Sequence, residues 1–385
     1  MKNKRYVSFF LGTLFCLAAF GGCAAAPAEA GTPAAQASAA SALLAAQDVS
    51  DEIVCVSPAE GSEVELSNDT VRDYFENYCE GYSKKWPNPG DAYKNNPVVL
   101  EWKAEGAACF TVYLAADPAF RTAEKYVTAK NTLSVGNLLP GTRYYWQVRA
   151  VGADGERRSD VFTFRTEDAP RLLDIEGVSN TRDLGGKIGE GGRRVAYGKL
   201  YRSALLDNVT QEGIYALKWL GVKTDLDLRA GGEGGAGESS PLGADVNYIH
   251  ISGAAYTYPD LGFNDPANRE QFRKEMEEIV DPDNYPILFH CSVGRDRTGT
   301  LAIVIYALLG VSEEEIIKDY ELSFLSASGT QDGGDANTMV NSCKMVIGYL
   351  YGFGGATLQE SAESFLLYLG IGRQQIEDFQ QMMLV

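Results

Sequence analysis

From Ile53 to Thr166 apolar and polar residues alternate with a period of two, broken at short intervals by turn residues. Half-buried strands have this pattern, because successive side chains point to opposite faces. Val98-Val99-Leu100-Glu101-Trp102, Phe110-Thr111-Val112-Tyr113-Leu114 and Tyr126-Val127-Thr128 read as strands. A Pro140-Gly141 turn feeds a longer one in which Tyr144, Trp146 and Val148 share a face, and Asp154-Gly155 turns the chain into Val161-Phe162-Thr163-Phe164. Residues 51–94 are less regular and read as a first strand followed by an irregular insertion, Tyr74 to Asp91. After Asp168-Ala169-Pro170 the pattern changes. Thr224-Asp225-Leu226-Asp227-Leu228 and Pro286-Ile287-Leu288-Phe289-His290 are short apolar strands. A 3.6-residue period fits helices over Gln211 to Leu220, Arg269 to Val280, Arg297 to Leu309 and Glu313 to Leu322. Ser312 with Glu315, and Thr357 with Glu360, have the capping-box spacing that starts a helix. The expected architecture is an α/β domain over 172–385 with a mainly parallel central sheet, behind an all-β domain over 51–168. Two Gly-rich stretches, Ala230 to Gly243 and Ser326 to Gly355, read as mobile surface loops, with a substrate lid as the alternative.

The N-terminus has a different pattern. Lys2, Lys4 and Arg5 precede an apolar run from Val7 to Phe20, too short to span a bilayer comfortably. The run ends in Ala19-Phe20-Gly21-Gly22-Cys23, which resembles the bacterial lipoprotein signal, in which that cysteine is acylated and becomes the first residue. Ordinary secretion with cleavage near Ala26 or Ala30 is the alternative. The expectation is an exported, membrane-anchored protein, with 1–23 as signal and lipid at Cys23. Residues 24–50, dominated by Ala with Pro, Ser, Gly and Thr, can bury no core and read as a disordered linker.

The chemistry concentrates in one loop, His290-Cys291-Ser292-Val293-Gly294-Arg295-Asp296-Arg297-Thr298-Gly299. A strand runs into it and an apolar helix leaves it, so several backbone N–H groups and a helix N-terminus converge on one point, which suits a phosphate. Gly294 permits the backbone angles that curl the amides inward. The same field favours the thiolate of Cys291 over the thiol and makes it a competent nucleophile. Arg297 returns to the same centre, where its planar fork can hold two phosphoryl oxygens.

Cys-(x)5-Arg with His before the Cys and Thr-Gly after the Arg resembles the protein tyrosine phosphatase superfamily. The acidic residue directly before the Arg is similar to the bacterial tyrosine and phosphoinositide phosphatase branch. Asn180-Thr181-Arg182-Asp183-Leu184-Gly185-Gly186, Asp227-Leu228-Arg229 and Gly310 to Ser323 resemble further motifs of that branch, in order. Arg295 stands where that branch usually has Lys. The resemblance implies Cys291 as nucleophile and Arg297 as phosphoryl-binding group. It places Ser292, Val293, Gly294, Arg295 and Thr298 around the phosphate, His290 as a structural residue, and Arg182 and Arg229 as braces. Asp296 is the first choice of general acid; Asp260, in Tyr258-Pro259-Asp260, is the rival. Substrates would be phosphotyrosine, phosphoserine or phosphothreonine in proteins, phosphoinositides or inositol phosphates. Capture of phosphorylated ligands without turnover is the competing class, and the intact Cys291, Asp296 and Arg297 argue against it. Separately, Leu138-Leu139-Pro140-Gly141-Thr142-Arg143-Tyr144 resembles the tyrosine corner of fibronectin type III sandwiches.

Composition narrows the partners. A net charge of −18 repels nucleic acid and anionic surfaces at long range, so any anionic substrate needs a local basic cluster. With two histidines and no paired Cys or His spacing, neither a metal nor another cofactor is expected. Cys55, Cys79, Cys109, Cys291 and Cys343 do not describe a disulfide framework, although a Cys55–Cys79 pair is geometrically possible.

Overall fold

Apolar residues on alternating strand positions close the first core. A computed structural model describes residues 52–81, 93–153, 155–254, 262–328 and 336–385. The signal and linker at 1–50, Asp154 and the Tyr258-Pro259-Asp260 segment lie outside the described residues. Strands β1 (Val54–Ser57), β3 (Val98–Lys103) and β6 (Thr132–Val135) form one sheet in the order β1-β3-β6. The facing sheet runs β2-β9-β7-β4-β5 with β8 on β7, from β2 (Ser62–Val64), β4 (Ala107–Ala115), β5 (Glu124–Thr128), β7 (Arg143–Gly152), β8 (Gly155–Arg158) and β9 (Phe162–Thr166). Trp102, Phe110, Trp146 and Phe164 meet between them. At the Pro-Gly turn before β7 the Leu139 N–H donates to the Tyr144 hydroxyl at 2.8 Å.

The described part of the segment between β2 and β3 includes a helix that its composition did not suggest. Asn68 caps a helix, α1 (Asp69–Glu76), by accepting from the Val71 N–H. Tyr74, read as the start of an irregular stretch, lies inside that helix, and Val71 and Tyr74 are fully buried. They face away from the sandwich core and pack with Tyr93, Leu172, Leu322 and Leu325.

The second sheet has the order β10-β11-β14-β12-β13, from β10 (Arg182–Asp183), β11 (Leu200–Ser203), β12 (Thr224–Asp227), β13 (Asn247–His250) and β14 (Ile287–His290). All its pairings are parallel except β10 with β11. The central strand β14 is buried on both faces. Ile287 and Phe289 point into one core and Leu288 into the other, as a period of two requires. Helix α2 (Gln211–Trp219) covers the Leu288 face. The other face carries α3 (Pro266–Val280), α4 (Asp296–Leu308), α5 (Glu313–Leu322), α6 (Ala336–Tyr351), α7 (Leu358–Leu369) and α8 (Arg373–Met383). The α4 side chains are buried all round from Thr298 to Leu308, which places this helix at the centre of the core.

Helix α6 corrects the reading of Ser326 to Gly355 as a loop. Val340, Cys343, Val346, Ile347 and Leu350 form a buried stripe at helical spacing, which the glycines around it had masked. The two capping predictions hold in part. Ser312 and Thr357 accept from the N–H of Glu315 and Glu360. The Glu315 carboxylate, however, turns to Lys187 and Lys318.

Candidate active site

Strand β14 ends at His290, helix α4 begins at Asp296, and residues 291–295 make the reversal between them. Gly294 takes φ +68°, and a Cβ there would sit 2.4 Å from the carbonyl oxygen of Ser203 on β11. The loop is pressed against the end of the neighbouring strand, and a side chain at 294 would lift it off.

What faces the loop from beneath fixes its orientation. Asn180 Nδ2 donates to the carbonyls of Val293 at 2.9 Å and Gly294 at 3.0 Å, and Arg202 Nη2 donates to Gly294 at 2.9 Å. The Ser328 hydroxyl reaches the Val293 carbonyl at 3.2 Å. Peptide units are planar and trans, so carbonyls held on one side send the N–H groups of Gly294 and Arg295 to the other. Among the described residues no side chain caps α4, so its own first N–H groups are left to an external acceptor. Asn180 itself sits in the left-handed region at φ +56°, which asparagine tolerates better than most residues.

Behind these contacts lies a buried ion cluster. Arg182 Nε and Nη2 grip Asp319 at 3.0 and 3.1 Å, and Arg202 Nη1 meets the same carboxylate at 2.9 Å. Burial would raise the Asp319 carboxyl, but the two guanidiniums win and hold it well below the usual range. Two guanidiniums against one carboxylate leave a surplus positive charge under the loop, which favours an anion above it.

Cys291 is buried at the strand end. Burial, with Glu60 adding, pushes the half-buried Cys55 up to about 11, and burial pushes Cys343 up as well. Cys55, Cys79, Cys109, Cys291 and Cys343 are all free. His290 puts Nε2 3.0 Å from Asp225 Oδ1. Burial pulls its imidazole down, yet the adjacent Asp225 carboxylate outweighs this and raises it. The ring is fully buried and ties the end of β14 to β12. Arg229 clasps Asp227 through Nε and Nη2 and Asp207 through Nη1, bracing the end of β12.

The two charged residues after Gly294 divide. Arg295 turns its guanidinium onto Asp296, with Nε on Oδ1 at 3.2 Å and Nη2 on Oδ2 at 3.1 Å. The Tyr320 hydroxyl also donates to Asp296 Oδ1, at 3.2 Å. This needs Gly299, where a Cβ would stand 2.5 Å from the Tyr320 ring. Thr298 is fully buried, and its hydroxyl has no hydrogen-bond partner among the described residues. Asp260 lies outside the described residues.

Arg297 faces a residue that sequence reasoning did not find. Glu233, inside the Gly-rich stretch after β12, accepts from Arg297 Nη1 and Nη2 at 2.9 Å each. The same carboxylate accepts from the Ser292 hydroxyl and from the Ala230 N–H. Hydrogen bonds from Arg297, helped by Ser292, hold Glu233 down to about 2. Its sequence signal was faint: one acid four positions after Arg229 in a run of glycines.

The model of a family described as "Tyrosine phosphatase family" matches residues 173–385. A Cupriavidus necator protein named among the tyrosine-protein phosphatases is 31% identical over 169 residues, covering 38% of this chain and 61% of that protein. The chain therefore spans about three-fifths of that relative's length. A tyrosine-protein phosphatase of Nostoc commune is 28% identical over 220 residues, covering 46% of this chain and 71% of its own. Among solved structures, the core catalytic domain of a PP-IP phosphatase from S. cerevisiae aligns with 22% identity and a TM-score of 0.26, covering 37% of this chain and 76% of its own. With a family match over more than half its length, the chain belongs to the tyrosine phosphatase family.

Proposed function

We propose that the chain hydrolyses phosphate monoesters through a phosphocysteine intermediate. One observation carries the reading: Asn180 and Arg202 hold the Val293 and Gly294 carbonyls beneath the loop, which aims its amides at a single anion site beside Cys291. In the first step the Cys291 thiolate forms an S–P bond as the bridging P–O bond breaks, and Asp296 gives its proton to the departing oxygen. Loop amides and Arg297 hold the non-bridging oxygens throughout. Water then attacks phosphorus and passes a proton to Asp296. The S–P bond breaks, releasing inorganic phosphate and restoring the thiolate. Arg295 acts in this scheme through Asp296.

The substrate is a phosphorylated protein side chain, a phosphoinositide or an inositol phosphate. Release of phosphate across phosphopeptides, phosphoinositides and inositol phosphates tests the reading. No release from any class, or release undiminished by Cys291→Ser, would overturn it.

The sandwich is read as fibronectin type III-like, a reading supported by its three-strand and larger facing sheets and by the Tyr144 tie. The protein is read as exported and lipid-anchored at Cys23, a reading supported by Gly21-Gly22-Cys23 behind the apolar run. Fractionation of the full chain and of Cys23→Ala tests the anchor; a wholly soluble parent protein would refute it.

A further inference from the structure

The insertion that leaves the sandwich between β2 and β3 ends on the ion cluster under the loop. Tyr93 is 6% exposed, and its hydroxyl accepts from Arg182 Nη1. The same Nη1 donates to Asn180 Oδ1 at 2.7 Å, and Asn180 Nδ2 in turn holds the two loop carbonyls. The remaining donors of Arg182 are committed elsewhere: Nε and Nη2 to Asp319, and Nη2 also to the Ser323 hydroxyl at 3.2 Å. A guanidinium has five N–H groups in one rigid plane. With Asp319 fixing one edge, the two hydrogens of Nη1 must go to Tyr93 and to Asn180. The Tyr93 hydroxyl thus fixes the guanidinium plane that presents a donor to Asn180.

Tyr93 is itself anchored from both sides. Asn95 donates through its backbone N–H to the Leu172 carbonyl at 3.2 Å and through Nδ2 to the Pro170 carbonyl at 2.9 Å. Tyr74 of α1 donates to the Lys318 carbonyl at 2.7 Å, and Tyr78 donates to Glu321 Oε2 at 3.0 Å. Both acceptors lie on α5, the helix that carries Asp319 and Tyr320.

We propose that Tyr93 is a positioning residue for the phosphate loop, acting through Arg182 and Asn180, so that the N-terminal region is a working part of the catalytic unit. The proposal rests on the reading of the Cys291 loop as the phosphate site. Removing the hydroxyl leaves one buried Nη1 hydrogen without its acceptor. The guanidinium plane then turns to find another, Asn180 loosens, and the loop amides are no longer held in one orientation.

The test compares Tyr93→Phe with Tyr78→Phe in the full chain. The first keeps the ring under Arg182 and loses only the hydroxyl; the second removes a tie of the same insertion that does not touch Arg182. Steady-state kinetics on an activated aryl phosphate are read with inhibition by orthovanadate, which gathers loop amides around a five-coordinate centre, and with the melting temperature. For Tyr93→Phe we expect kcat and vanadate affinity each to fall about tenfold, the scale of one hydrogen bond to a charged group, with KM changing less than threefold. Tyr78→Phe should shift the melting temperature and leave vanadate affinity within twofold. Tyr93→Phe with unchanged kcat and vanadate affinity overturns the proposal, as does an equal loss of both in Tyr78→Phe. Cys291→Ser measured alongside separates the two levels: if it stays active, the site itself is misread and the proposal falls with it.

Discussion

Glu233 meets Arg297 end to end, Oε1 on Nη1 and Oε2 on Nη2, both at 2.9 Å. With the carboxylate on the two terminal nitrogens and the Ser292 hydroxyl also accepting from Nη2 at 3.3 Å, it is the Nε side of the guanidinium that is turned to phosphoryl oxygens. Glu233 therefore sets the plane in which Arg297 meets its substrate. In Glu233→Gln the amide offers one acceptor where the carboxylate offers two, and the charge is lost. We expect kcat to fall about tenfold with KM moving less, since the lost alignment matters most in the transition state. A variant with parental kcat on both alkyl and aryl phosphates would show that Arg297 orients itself.

The same carboxyl gives an acid-stability prediction. Glu233 and Asp227 are both held down to about 2, against ordinary values near 4.5 and 3.8. For Glu233 the leading cause is hydrogen bonding from Arg297. For Asp227 burial works upward and hydrogen bonds from Arg229 overcome it. A depressed carboxyl stabilises the fold fully above its unfolded value and loses that contribution as pH falls through the folded one. Unfolding midpoints should hold above about pH 4.5 and decline from there towards about pH 2. Glu233→Gln and Asp227→Asn should each flatten part of that decline; a decline unaltered in both would assign it to other groups.

Cys291→Ser should abolish turnover while leaving substrate binding largely intact. A hydroxyl keeps the shape but lacks an accessible anionic form. The measurement is phosphate release beside equilibrium binding, and turnover near the parental rate would remove Cys291 from the mechanism.

General-acid assignment turns on the leaving group. Asp296→Asn should slow an alkyl or tyrosyl phosphate far more than a nitrophenyl phosphate, whose leaving group needs no proton. Tyr320→Phe should show a weaker form of the same dependence, because its hydroxyl contacts Asp296 directly. The rival, Asp260→Asn, should affect both substrates alike. A steep dependence in Asp260→Asn and none in Asp296→Asn would transfer the role.

The strands and helices that build the loop were legible because their signals are local. The period-two runs of the sandwich, the helix of Arg297 to Leu309 and the cap at Ser312 are each set by a few neighbouring residues. The loop residues were legible for the same reason, since one continuous segment carries nucleophile, arginine and candidate acid. What holds that segment was legible only in part: the resemblance gave Arg182 as a brace but not its partner. Asp319 lies 137 positions from Arg182 and 117 from Arg202, and on a helical period it reads as one more polar position on α5. Glu233 looked like solvent-facing charge in a glycine loop. Helix α6 was lost because Gly348 and the glycines at its end outweighed an apolar stripe that tertiary packing makes decisive.

The tie between Tyr74 and the Lys318 carbonyl joins residues 244 positions apart. At synthesis rates of roughly 5–20 residues per second, on the order of 10–50 s pass between the emergence of the two. Through that interval the apolar face of α1, Val71 with Tyr74, has nothing from α5 to cover it. The nascent chain is sticky early and competent late. Every ribosomal intermediate that ends before α5 lacks both Asp319 and the seat for α1, so the support beneath the loop arrives only with that helix. The fold thereby makes the holding of an early segment wait on a late one.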